Sequence, residues 1–289
     1  MVLIVTSIFS SLANAAKKEQ LYHRQVNLSG NIFHFSMPED FSKDMPAEDL
    51  VERLDISDIE LFTKPENGNL TRRWWDIKEP KWFGKNLGSV MMDISVQRVA
   101  ENRAKRIHES SYNIADRLDF MLMLDDLYHQ RYDDLNKTLP IEPGRTAPYH
   151  SSLLTIVGDK IYSTHNEHVT HGQKWLKQSI AGPRGTLIVN YAIPLNKNVF
   201  LNASFTYSPN DGVSTRELLD VAQPKVNGID QSFEVVYAPN NEMAKVVSAD
   251  WLLHDNDEVL NQRRNEILKL FYGPEKALLQ QERNDKGAN

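Results

Sequence analysis

Apolar and polar positions alternate with a period of two along much of this chain. Asn31-Ile32-Phe33-His34-Phe35-Ser36-Met37-Pro38 puts Phe33, Phe35 and Met37 on one face, which predicts a half-buried strand stopped by proline. Residues 56–63 and 70–77 predict two more strands, joined by the turn chemistry of Pro65-Glu66-Asn67-Gly68-Asn69. In residues 88–96, Val90, Met92, Ile94 and Val96 share one face, opposite Ser89, Asp93 and Ser95, with Met91 as the exception. That pattern predicts a strand covered on one side. Segments 153–163, 173–181, 186–193 and 199–207 are each bounded by Gly, Pro or Asn, and the spacers 182–185 and 195–198 predict tight antiparallel hairpins. Further strands are expected at 233–237 and 246–253.

Period 3.6 takes over in three places. Asp44-Met45-Pro46-Ala47-Glu48 opens a short expected helix ending near Leu54. Between Gly88 and Pro140 there is neither glycine nor proline, and Ala104, Ile107, Ile114, Leu118, Met121, Leu122, Asp125 and Tyr128 recur at helical spacing. This predicts a long central helix over 100–135, or two with a break near Ser110-Ser111. A capping box at Ser214-Thr215-Arg216-Glu217 opens a short helix expected to stop before Pro224, and Val259 to Tyr272 predicts a C-terminal amphipathic helix. Segregated strands and helices make the expected class α+β, with antiparallel sheets, a long central helix and a C-terminal helix. The proline-rich stretch 139–149 suggests subdomains over 16–138 and 150–280, or one domain crossed by a loop.

Composition narrows the function classes. The 289 residues carry a formal charge of −6, which disfavours nucleic acid and anionic lipid as partners. There is no cysteine, so disulfide frameworks, thiolate nucleophiles and thiolate zinc sites are absent. At the N-terminus the apolar run 2–12 precedes Ala13-Asn14-Ala15, the pattern of a signal peptide over 1–15. The expected location is therefore periplasmic or secreted, with no stable membrane insertion after cleavage.

Three groups of residues are candidates for chemistry. His165, His168 and His171 form a histidine cluster that could converge on zinc or copper from a loop. Strand-like flanks would turn His168 away from the other two, so a polar hairpin tip is the simpler account. Asp125, Asp126, His129 and Asp133 read as a solvated helix face. Arg73, Trp74 and Trp75, with Trp82 nearby, combine guanidinium and indole groups suited to recognition. On an alternating strand Arg73 and Trp75 face one way, Arg72 and Trp74 the other. No nucleophile elbow, P-loop or Gly-x-Gly-x-x-Gly motif occurs.

The stretches Phe33-His34-Phe35-Ser36-Met37-Pro38, Arg73-Trp74-Trp75-Asp76 and Gly88-Ser89-Val90-Met91-Met92, with the closing pattern Trp251, Arg263 and Ile267-Leu268, resemble periplasmic immunity proteins of type VI secretion effectors. The resemblance implies a non-enzymatic protein that binds and neutralises a protein partner, a toxin effector, and implies no catalytic residues and no cofactor. Arg73, Trp74, Trp75 and Trp82 are the expected partner-binding residues. The alternatives are a secreted metal-dependent hydrolase using His165, His168 and His171, or an envelope carbohydrate-binding module using the tryptophans.

Overall fold

The computed structural model describes residues 20–42, 48–80, 84–99, parts of 113–127, 154–157, 160–163, 166–181 and 183–248. The expected signal peptide, the C-terminal helix over 259–272 and the linker 139–149 lie outside them.

Most of the molecule is strand. A six-stranded antiparallel sheet has the order β4(Asn69–Lys78)–β5(Asn86–Arg98)–β11(Val199–Pro209)–β10(Leu187–Pro194)–β9(Gln173–Ala181)–β8(Asn166–Thr170). A smaller sheet has the order β12(Glu234–Val236)–β2(Asn31–Met37)–β1(Tyr22–Leu28)–β3(Arg53–Leu54), antiparallel except for the short β1–β3 pair. Strands β6(Leu154–Val157) and β7(Lys160–Ser163) form a separate hairpin. The large sheet draws β4 and β5 from the first half of the sequence and β8 to β11 from the second. They join through β5–β11, whose register runs from Val199↔Arg98 to Pro209↔Gly88. The two halves on either side of residues 139–149 therefore share one sheet.

Helix α1(Thr215–Asp230) packs against β2, β4, β5 and β11. Its capping box is formed: Ser214 Oγ accepts from the Glu217 N–H, and the Glu217 carboxylate accepts from the Ser214 N–H at 2.8 Å. Contrary to expectation, the helix does not stop before Pro224 but runs on to Asp230. The proline removes one backbone bond. The buried stripe Leu218, Ala222, Val226 and Ile229 continues across it, so burial against both sheets holds the second half helical. One core joins α1 to the inner faces of both sheets, with Phe33, Trp175, Tyr191, Phe205 and Phe233 in mutual ring contact.

Other expectations change. No long central helix occurs among the described residues: 113–116 form a turn, and helical conformation appears only from Arg117. The remainder of the expected helix lies outside the described residues. Residues 56–63 are not a strand but end in a 3₁₀ turn, Glu60–Thr63. Asp55 anchors this loop by accepting from Ser29 and Ser57, so local side-chain bonds displaced the sheet ladder. Instead of a helix ending at Leu54, Glu48 bridges to Arg72 and Arg53–Leu54 pairs with β1. The segment Met243–Ser248 is helix α2, where a strand was expected from 246. No helix of the described residues is long and apolar enough to cross a membrane.

Candidate functional site

Strand β4 shows how the sequence makes two different surfaces at once. Leu70, Arg73, Trp75 and Ile77 are buried on its inner side. Arg73 is 6% exposed and Trp75 2%, so these two expected partner-binding residues are core-side groups. Arg73 donates to the carbonyls of Glu48 and Arg72 and lies 4.9 Å from the Phe41 ring centre, while Lys225 caps the Trp75 ring at 5.7 Å. Trp82 lies outside the described residues.

Arg72 and Trp74 are partly exposed on the opposite face. Arg72 is held by three contacts: Nη1 to Glu48 at 2.9 Å, and Nε and Nη2 to Asp93 at 2.7 and 2.6 Å. Its guanidinium carbon sits 6.0 Å from the Trp74 ring centre. Across the sheet Trp74 stands opposite Met91, and Met91 opposite Thr206. The result is an indole flanked by a thioether and a fixed cation. A bidentate guanidinium–carboxylate pair restrains the Arg72 side chain. Glu48 was expected in a helix and its role had no sequence signal; Asp93 was visible as the polar side of the alternating β5.

The same face changes character towards β9. Cross-strand partners form a polar row, Arg72–Asp93–Ser204–Asn190–Gln178, over five strands. At its far end Gln178 and Asn190 are buried beside the apolar cluster of Phe120, Met121, Leu124, Ile180 and Phe200. Both polar atoms of the Gln178 amide, and Asn190 Nδ2, lack a hydrogen-bond partner among the described residues. This end of the face is covered; the end around Trp74 is accessible.

The histidine cluster is not brought to one point. His168 is buried, with Nε2 3.0 Å from the Asp230 carbonyl oxygen, whereas His171 is exposed at the β8–β9 turn with a φ of 50°. His165 lies outside the described residues. Among the described residues no three His, Cys, Asp or Glu side chains gather as metal ligands. His168 and Thr170, whose hydroxyl donates to the Gln231 carbonyl at 2.7 Å, pair carbonyls that the end of α1 leaves without helical partners. Next to them the Tyr191 hydroxyl donates to Asp230 Oδ2 at 2.6 Å. Burial raises the Asp230 carboxyl above its usual range, against the opposing pull of the Tyr191 bond, His168 and Lys177. Tyr191 and Tyr207 are also pushed up, by burial first and by Asp230 second. Asp230 is 2% exposed and Tyr191 0%, and these bonds lock the end of α1 onto β8 and β10.

No family model and no curated protein matches this chain. Among solved structures, LpqN of Mycobacterium tuberculosis, described as involved in cell envelope biogenesis, is similar at 11% identity with a TM-score of 0.30. The alignment covers 78% of this chain and 96% of that one. A likeness of that size carries no argument about function.

Proposed function

We propose that this is an exported, non-enzymatic protein that binds a protein partner through the β4–β5 face centred on Trp74. Neutralisation of a toxin effector, as in type VI immunity, is the concrete form. The supporting observation is the Trp74 group itself. Tryptophan, arginine and methionine are enriched in interface cores, and tryptophan and arginine supply most binding hot spots. Here they stand together, with Arg72 already fixed by Glu48 and Asp93 so that little side-chain freedom remains to be lost on binding. The titratable groups packed together in the interior, His168, Tyr191 and Asp230, are shielded from any substrate.

The experiment is a paired capture from the envelope fraction of the source cells and their competitors, using the mature protein and its Trp74→Ala variant. Any protein captured by the wild type is then purified and titrated against both. The reading predicts a one-to-one complex that the variant weakens by at least about 2 kcal/mol, roughly 30-fold. A complex that forms equally well with Trp74→Ala would refute this face as the site. Binding of glycans but of no protein would shift the reading to a carbohydrate module.

A further inference from the structure

The outer face of the small sheet carries a pair of histidines, distant in sequence from the three at 165–171. His23 on β1 stands opposite Ser36, and His34 on β2 stands opposite Gln25, so the two imidazoles are diagonal neighbours on one face. His23 Nε2 and His34 Nδ1 are 3.1 Å apart, with the ring planes at 21° and the ring centres 5.1 Å apart. On the other side of His34 its register partner on β12 is Glu234, which alternates outward beside the buried Val235. Directly opposed residues on antiparallel strands have β-carbons about 4.5–5.5 Å apart, within reach of a glutamate side chain.

We infer that this face is a binding site for a divalent transition-metal ion of the zinc class, with His23 Nε2 and His34 Nδ1 as ligands and the Glu234 carboxylate as the third. Zinc–imidazole bonds of about 2.0–2.1 Å meeting near the tetrahedral angle place two nitrogens about 3.3 Å apart, close to the separation found here. An N–H···N hydrogen bond would also hold the rings together, but it uses only one lone pair. A metal uses both and takes in the neighbouring carboxylate. Glu234 closes on the ion by rotating its side chain, since three such groups are not already gathered at one point among the described residues. Gln25, Ser36 and Ile32 surround the pair on the same face, Val236 follows Glu234, and Arg53 lies farther off opposite Asn27. No cation stands next to the imidazoles in this set. Bound metal would tie β1, β2 and β12 together on the side opposite the aromatic core.

The test is calorimetric titration of the mature full-length protein with zinc ions alone, in chelator-free buffer, alongside His23→Gln, His34→Gln, their double variant and Glu234→Gln. The side chains lie on the outer face, and a thermal melt of each variant confirms that it folds. The proposal expects the wild type to bind one equivalent more than the double variant. Each single histidine change should weaken that equivalent about tenfold or more, and Glu234→Gln should weaken it less. Identical titrations for wild type and double variant, or no zinc binding by the wild type, would overturn the site. An unchanged affinity in Glu234→Gln would remove Glu234 from it.

Discussion

The two faces of the six-stranded sheet are built from the same strands and follow opposite rules. The face towards α1 is closed by aromatic rings, and Trp175, Tyr191 and Phe205 are each 0% exposed there, in contact with Phe33 and Phe233. The opposite face carries a polar row that starts at the partly exposed Arg72 and ends at the buried amide of Gln178, which has no hydrogen-bond partner among the described residues. The first face provides stability through area removed from water, about 25 cal/mol per Å² of apolar surface. The second is mixed, with an apolar cluster of Leu176, Ile180, Ala192 and Phe200 beside the polar row at its far end and partly exposed polar groups around Arg72.

This contrast can be broken from either side. On the closed face, Phe205→Ala removes a fully buried ring that meets Tyr191 at 5.9 Å and Phe233 at 6.3 Å. It should cost about 3–5 kcal/mol in a urea unfolding titration. At the seam, Gly88 pairs with Pro209 at a φ of 141°, and an added β-carbon would collide with the Ser208 carbonyl oxygen. Gly88→Ala should therefore cost about 1–3 kcal/mol from strain, or more where the β5–β11 ladder shifts, read by the same titration.

On the polar face the sign reverses. Gln178→Met replaces an amide whose oxygen and nitrogen both lack a partner among the described residues with an apolar side chain of similar length. Stability should stay level or rise by about 1 kcal/mol, and a loss comparable to Phe205→Ala would show that the amide is essential to the fold. Asp230 supplies a pH test of the closed side. Its unfolded carboxyl titrates near 3.8 and the folded one higher, because burial disfavours the charge. Between those two values the folded state holds the extra proton, so wild-type stability falls as pH rises through the window and recovers as pH drops. Asp230→Asn should flatten that slope in melts taken across acidic pH, and an unchanged slope would assign it to another group.

How much of this was legible depends on whether the signal was local. The alternation in 70–77 and 88–96 correctly separated Arg73 and Trp75 from Arg72 and Trp74, because side-chain direction on a strand is set by period alone. Which of the two sets would be buried was not legible. That choice depends on α1, which lies more than a hundred residues away and packs on one side only. Asn69–Lys78 and Asn86–Arg98 could be found as strands, yet their union with Val199–Pro209 is a long-range pairing without a local mark. Pro224 misled because a proline's local cost is visible in sequence while the buried stripe that offsets it is a tertiary fact. The histidines at 165–171 drew attention by proximity in sequence, whereas His23 and His34, eleven residues apart, meet only because β1 and β2 form a hairpin.

Whether Trp74 serves binding rather than folding is decided by the Trp74→Ala comparison, read for stability and for binding together. The expected unfolding free energy is within about 0.5–1 kcal/mol of wild type, as for a partly exposed side chain, with a roughly 30-fold or greater loss of affinity for the captured protein. A variant that loses several kcal/mol of stability while binding its partner as before would contradict it and place Trp74 with the core.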